Sequence, residues 1–384
     1  MKRSVIMVAW RQLTHQKMKL IAAVAGVVVA VMLMLVQLGI RQGVLDNTIA
    51  FVRLIDADLV IVSPSTNTIF NSAQFPRRLM WRMKNHAAVE DVQEVYRAAA
   101  MWRNPWNHIE HPIGIYGLDA DEPMLNLPGL EEQAGNIRLM DRILFDGMSR
   151  DTYGPVVAEL EKGEVVAELN SRKVHVVGHI DVGIAIANDG NVYTTRENFL
   201  RVFPQRPAGS IDLGLIRLQG GADVQQVLKE VRPLLGEEAK ILTQPDLVAS
   251  EISFVRTNAP IDFIFGMGAV VGFFIGGVVV YQILYTEVTN HLPQFATLKA
   301  MGFTDGYLLR LVLSEAVLLS LFGYLPGFFM ALGLYRVATD EIQMPFTMTA
   351  ARAIGVFIAT LVMCCISAAI AIRKAQTANP ADVF

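Results

Sequence analysis

Residues 20–39 read LIAAVAGVVVAVMLMLVQLG, a run with no ionisable group and a single amide, Gln37, near its far end. About 20 apolar residues cross roughly 30 Å of hydrocarbon as a helix, so this stretch alone makes the chain a membrane protein. Basic residues precede it, as they precede a signal peptide. The run is nevertheless too long for an h-region, and residues 39–42 (GIRQ) offer no small-residue cleavage site, so it reads as a retained helix. Three further apolar runs follow at 261–285, 308–335 and 353–372.

The 384 residues are 53% hydrophobic and 18% charged, against about 25% charged in soluble domains. The deficit is local. Residues 41–260 hold 22 Lys+Arg and 29 Asp+Glu, a net charge of −7, whereas the other 164 residues hold 11 and 7, a net +4. An acidic, soluble-looking domain is inserted into a membrane protein. This distribution excludes a soluble enzyme and a disordered chain. It also excludes a nucleic-acid binder, since no block of basic residues exists to neutralise phosphates. The two cysteines, Cys364 and Cys365, are adjacent within an apolar run, so no disulfide framework is expected.

Lys2, Arg3, Arg11, Lys17 and Lys19 precede the first run, Arg373 and Lys374 follow the fourth, and Lys299 and Arg310 stand in or beside the loop between the second and third. Because Lys and Arg concentrate on cytoplasmic loops, both termini and that loop are assigned to the cytoplasm. The resulting organisation is a cytoplasmic amphipathic helix at 1–19, spans at 20–40, 261–285, 308–335 and 353–372, and a periplasmic domain at 41–260. A cytoplasmic loop occupies 286–307, a short outer loop around Asp340 and Glu341 occupies 336–352, and a cytoplasmic tail occupies 373–384. Residues 4–19 (SVIMVAWRQLTHQKMK) are expected to lie in the interface with Trp10 as a headgroup anchor.

Within the insert, residues 57–62 (ADLVIV) followed by Ser63-Pro64 predict a strand and a turn. Residues 112–118 (PIGIYGL) predict another strand, and residues 164–180 (EVVAELNSRKVHVVGHI) a hairpin turning at Asn170-Ser171. A strand at 211–218, a break at Gly220-Gly221, a helix at 222–235 and a strand at 239–242 make a βαβ-like unit. Residues 244–257 predict a helix leading into the second span. The fold class is thus an α-helical membrane protein with four transmembrane helices plus a large α+β extracytoplasmic domain of two lobes.

The chain has no Gly-x-x-x-x-Gly-Lys-Ser/Thr loop, no His-Glu-x-x-His and no Gly-x-Ser-x-Gly, so catalytic residues and a cofactor of its own are not expected. His108 and His111 flank Glu110, a spacing that can ligate zinc, but no third ligand is identifiable and a solvated loop is the plainer reading. His175 and His179, four apart in a strand-like run, are expected on one face of it, as part of a polar sheet surface.

Gly268, Gly272 and Gly276 recur every four residues along the second span, and Ala22, Gly26 and Ala30 repeat the pattern in the first. Such spacing lets helix backbones approach closely, either within the chain or across a dimer seam. Gly323 and Gly327 flank Pro326 in the third span, where proline removes a backbone hydrogen bond and favours a kink. Glu315 sits inside that span, where a carboxylate is costly unless paired or wet. It is either a proton or substrate group, or it faces a neighbouring helix near the cytoplasmic interface. As an isolated carboxylate without a partner in the other spans, it argues against proton-coupled transport.

The loop at 285–302 (YTEVTNHLPQFATLKAMG) is the most distinctive short segment. Asn290 can cap, Pro293 suits a first helical turn and Gly302 a helix end. The expected short helix bears Phe295 and Leu298, with Lys299 and Met301 toward its end. Exposed apolar residues there invite either a partner surface or the lipid interface.

An amphipathic helix, one span, a large outer domain, three spans and a loop ending LKAMG (298–302) resemble the MacB/FtsX/LolC superfamily of ABC permeases, the type VII transporters. Residues 315–323 (EAVLLSLFG) resemble the start of that family's third helix, and Arg373-Lys374-Ala375 with Asn379-Pro380-Ala381-Asp382 its ending. A closer resemblance is to the DevC branch, the permease of DevBCA systems. It rests on Gln37-Leu38-Gly39, residues 57–64, Phe75-Pro76-Arg77-Arg78, Phe145-Asp146, Asp189-Gly190 and Asn198-Phe199. The most specific signpost is residues 280–285 (VYQILY) with His291-Leu292-Pro293.

The resemblance implies a MacB-like fold and a non-enzymatic permease acting as a homodimer. A separate DevA-like ATPase binds the ATP and Mg, and a DevB-like periplasmic adaptor and a TolC-like outer-membrane channel complete the assembly in a bacterial, cyanobacterial-type inner membrane. Such permeases pass ATP-driven closure to the outer domain as mechanotransmitters, and the cargo includes glycolipids. Glu287, Pro293, Phe295, Leu298, Lys299, Met301 and Gly302 would then couple to the ATPase. The loop lacks the family's charged Arg-Glu pair around Pro293 and Gln294, so Phe295 and Leu298 are expected to enter an apolar groove, with Lys299 at its rim. The rivals are a LolC/LolE-like permease extracting lipid or lipoprotein, an FtsX-like regulator of a cell-wall hydrolase, and a transmembrane sensor.

Overall fold

Helix α1 (Lys17–Thr48) extends well past its apolar run in the C-terminal direction. The computed structural model describes residues 17–121, 123–183, 189–342 and 346–373. The expected interfacial helix, except for Lys17 to Lys19, and the tail after Arg373 lie outside these residues. Two compact units result: residues 44–259, and residues 1–43 together with 260–384.

In the first unit the order is α2 (Ala50–Arg53), β1 (Leu59–Val62), β2 (Phe75–Pro76), α3 (Arg78–Lys84), β3 (Val89–Arg103), β4 (Glu110–Leu118), α4 (Leu130–Ile137), β5 (Arg142–Asp146) and α5 (Val156–Leu160). It continues with β6 (Val165–Leu169), β7 (Arg172–Ile180), β8 (Asn191–Thr195), α6 (Arg196–Val202), β9 (Ser210–Ile211), β10 (Leu213–Leu218), α7 (Val224–Leu235), β11 (Lys240–Thr243) and α8 (Gln244–Asn258). Strand β3 belongs to both lobes. Its first half pairs with β10 in an antiparallel sheet β11-β1-β10-β3, and its second half pairs with β4 in the circuit β3-β4-β8-β5-β7-β6. Pairing of Trp102 with Leu169 and Arg103 with Glu168 joins β6 back to β3 and closes that circuit into a barrel. The expected βαβ-like unit is present as β10-α7-β11, with β1 inserted between its two strands.

Local chemistry explains the elements. Asp223 caps α7 by accepting from the amides of Gln225 and Gln226, and Thr195 and Thr243 cap α6 and α8 the same way. The hairpin at Asn170-Ser171 takes the left-handed backbone at both positions (φ 47° and 65°) that a tight two-residue turn requires. A bulge in β7 skips Val177 in the pairing with β5. Val174 and Val176 accordingly face one core and Ile180 the other. The bulge corrects the expectation for His175 and His179: the extra residue shifts the alternation, and the two side chains do not share a face.

Two charged clusters fasten the domain. Arg206 and Asp212 form a buried ion pair at 2.6 Å, and the guanidinium lies over Tyr96 and Phe199 at 5.4 and 5.3 Å. Asp141 receives two forked guanidinium contacts, from Arg172 at 2.6 and 3.1 Å and from Arg201 at 2.9 and 3.0 Å. Hydrogen bonds from Arg201 and then Arg172 hold its carboxyl well below the usual carboxylate range. A carboxyl depressed in the fold contributes stability that is present above its unfolded value of about 3.9 and is lost as pH falls through the folded one. Asp141→Asn is therefore expected to lower the melting temperature near neutrality and to flatten the acid limb below about pH 4. Melting curves across that range check it; an unchanged acid limb would show that the cluster carries no linkage.

The second unit adds α9 (Ile261–Asn290), α10 (Leu292–Ala300), α11 (Asp305–Ile342) and α12 (Ala350–Ala371) to α1. Helices α1, α9, α11 and α12 are long and apolar enough to cross a membrane. Helix α11 continues through Pro326 without a break. Buried hydroxyls answer backbone carbonyls, as a low-dielectric interior demands: Ser367 donates to Gly277 O at 2.8 Å, Tyr324 to Ala353 O at 2.8 Å, and Tyr335 to Leu35 O. Arg41 and Asp262 pair at 2.6 Å.

Candidate functional site

The segment joining α9 to α11 is built from short-range bonds. Near the end of α9, Thr286 and Thr289 hydroxyls donate back to Gln282 O and Tyr285 O. His291 ends α9 and opens α10, its Nδ1 lying 3.0 Å from Gln294 Oε1, and Pro293 occupies the first turn where no amide donor is needed. The far end closes with Gly302 N donating to Lys299 O at 2.9 Å and Phe303 N to Leu298 O at 3.1 Å, with Gly302 at φ +92°. That pair of bonds around a left-handed glycine is a Schellman stop. Lys299 reaches across the turn to Asp305, the first residue of α11, at 2.9 Å.

These bonds decide which side chains face outward. Phe295 is 4% exposed and packs in the core of the membrane unit, and Leu298 is half-buried against the same core. Phe295 therefore belongs to the chain's own bundle and does not enter a partner's groove, because the helix rolls its apolar side onto the spans. Lys299 is engaged with Asp305, which corrects its place at a rim. The large apolar side chains left outside are Met301, 63% exposed, and Phe303, 41% exposed and set against the Tyr307 ring at 4.7 Å. Sequence reasoning stopped at Gly302 and missed Phe303; the helix-stop signal at Gly302 was the clue that the next residue is thrown outward.

Glu315 is 3% exposed. It is not isolated: Glu287 of α9 lies within its electrostatic reach, and Lys19 of α1 and His291 act on Glu287 in turn. Both belong to helices that enter the same loop, Glu287 in the last turn of α9 and Glu315 about three turns into α11. Gly268, Gly272 and Gly276 face α1 of the same chain, next to Gln37, to Leu33 and Met34, and to Ala30 respectively. Gly327 lies over Val28 O and Val31 of α1 as well. The small-residue stripes thus bring α9 and α11 onto α1, the intramolecular alternative.

In the domain, a cleft of about 530 Å³ is lined by Arg77, Trp81, Lys84, Glu94, Arg138 and Arg196 among others. Its charges are paired internally, Glu94 with Arg77 at 2.6 Å and Arg196 at 3.7 Å, and Arg138 with Asp121. His108 sits in the β3–β4 turn with φ 61°, and among the described residues no group of three His, Cys, Asp or Glu is arranged to hold a metal.

Residues 266–380 match the family described as FtsX-like permease C-terminal. No curated protein matches the chain. Among solved structures, the periplasmic region of MacB from Actinobacillus actinomycetemcomitans is similar at 11% identity and TM-score 0.36, over 50% of this chain and 92% of that one. The extracellular domain of the noncanonic ABC-type transporter YknZ from Gram-positive bacteria is similar at 14% identity and TM-score 0.34, over 49% and 100%. The matched stretch takes in most of α9 and all of α10, α11 and α12.

Proposed function

We propose that the chain is the membrane subunit of an ABC exporter, driven by an ATPase on a separate polypeptide. The observation that carries the reading is the FtsX-like permease match over residues 266–380 in a sequence without a phosphate-binding loop. In this reading the energy arrives by contact with the ATPase. The turn at Met301 to Phe303 is the docking point this reading favours, since it presents two exposed apolar side chains on a segment braced to both neighbouring spans. The described spans present few polar groups to line a hydrophilic pore, so movement passed to the outer domain is the better use of the bundle. A DevC-type assembly with a periplasmic adaptor, an outer-membrane channel, a second copy of the chain and a glycolipid or another envelope component as cargo is the finer form of the same proposal.

Co-purification in mild detergent tests it: an ATPase should accompany the chain, and an adaptor besides would favour export over control of a cell-wall hydrolase. Recovery of the chain without any ATPase would sink the reading. The orientation is tested by labelling intact cells. A cysteine at Gly163, exposed in the domain, should react with an impermeant thiol reagent, and one at Thr304 should not. Reversed labelling would place the domain in the cytoplasm and end the model.

A further inference from the structure

Helix α8, which precedes the second span along the chain and ends at Asn258, is held to its domain by a buried carboxylate. Helix α8 has two buried residues, Leu247 and Glu251, one turn apart on the same face. Glu251 is 1% exposed. Its Oε2 accepts from Thr68 Oγ1 at 2.7 Å and its Oε1 from the Ile69 amide at 2.8 Å. Thr68 in turn caps the short turn Ile69–Asn71, accepting from the Phe70 amide at 3.2 Å, while Lys240 of β11 donates to Thr66 O at 2.8 Å. The turn is therefore gripped from two sides.

A leucine at this position would fasten α8 by area alone and without the cost of burying a charge. A carboxyl group instead fixes direction: Oε1 must meet the Ile69 amide and Oε2 the Thr68 hydroxyl, which donates to the anion and accepts from the neutral acid. What it grips leads onward: the Phe70 ring lies under the Arg97 guanidinium at 5.4 Å and against Phe51 at 6.5 Å. Arg97 stands on β3, the strand both lobes share.

We propose that Glu251 is a positioning residue, the joint through which a displacement of α8 is handed to the turn at residues 66–71 and so to β3. The proposal rests on the permease reading, which supplies the displacement. The joint also responds to pH. Burial raises the Glu251 carboxyl above its ordinary value, opposed by the Thr68 and Ile69 donors and by the charges of Arg97 and Lys240. A group raised in the fold contributes stability that is present below its unfolded value and is lost as pH rises through the folded one, so the joint loosens toward alkaline pH. Glutamine keeps both contacts, its amide oxygen accepting from Ile69 and its amide nitrogen donating to Thr68 Oγ1, without a charge to bury.

The test uses the full chain in lipid nanodiscs, Cys364 and Cys365 replaced by alanine, with spin labels at the exposed Asn67 and Ser253. The label distance should be narrowly distributed in acidic buffer and broaden as pH rises. Glu251→Gln should stay narrow at every pH, and Glu251→Ala should be broad throughout, with exchange of the Ile69 amide faster by about tenfold or more. A distribution in Glu251→Ala as narrow as in the parent, or a pH response retained in Glu251→Gln, would overturn the joint. If no ATPase accompanies the chain, the permease reading falls instead, and the label distances still decide the joint.

Discussion

Aspartate in place of both Met301 and Phe303 should weaken ATPase binding by about a hundredfold or more while the permease still folds and inserts. The magnitude follows from the chemistry of small docking surfaces, in which a few apolar anchors carry most of the energy at about 2 kcal/mol or more each. Met301 and Phe303 are the large apolar side chains that the turn leaves exposed, and the Schellman stop at Gly302 fixes them in that attitude. Two carboxylates placed there would have to be desolvated for docking, which adds to the lost contact. Phe295→Ala should behave in the opposite way. Its ring is 4% exposed, so its removal leaves a cavity and costs about 3 kcal/mol or more of bundle stability without touching the docking surface. Titration of detergent-solubilised variants with the co-purified ATPase, alongside melting curves, separates the two. Full binding by the aspartate double variant would move the docking point elsewhere.

The contrast between Phe295 and Phe303 shows what the sequence makes legible and what it withholds. Four apolar runs longer than any soluble helix needs, and an acidic insert between the first two, are composition facts, and the division into two units follows from them. Residues 222–235 and 244–257 carry caps and helical period, and both appear as helices close to those bounds. The long strand β3 is another matter. Its run VEDVQEVYRAAAMWR has no clean alternation, because its first half serves an open sheet and its second half a barrel. Neither burial pattern extends over enough residues to be read. The bulge that separates His175 from His179 is likewise set by the partner strand. At the site, Asn290, Pro293 and Gly302 announced a short helix, but which of its apolar residues turns inward depends on where α9 and α11 place it. Glu287 and Glu315 were visible separately; their proximity is a property of the packed helices.

Gly276 is a position where a one-carbon change should damage the bundle. A Cβ built on it would lie 2.5 Å from the Ala30 Cβ and 2.8 Å from Met363 Sδ, whereas one on Gly272 meets the flexible Leu33 Cδ2 at 3.1 Å and one on Gly266 meets nothing within 4 Å. Alanine's Cβ cannot swing aside, so relief requires α1 and α9 to separate, and every close contact along that seam is lengthened with them. Overpacking of this kind costs about 1–3 kcal/mol for a methyl group and more for leucine, which adds three further carbons to the same gap. Gly276→Ala should accordingly lower the melting temperature clearly, and Gly276→Leu should leave little folded protein. Gly272→Ala should be milder. Gly266→Ala, on an open stretch of the same helix, should be neutral or slightly stabilising, because alanine is the better helix former. Thermal unfolding of the four variants in one detergent measures the order. Equal melting points for Gly276→Ala and Gly266→Ala would mean that α1 and α9 do not meet at this glycine, and the seam would have to be placed elsewhere.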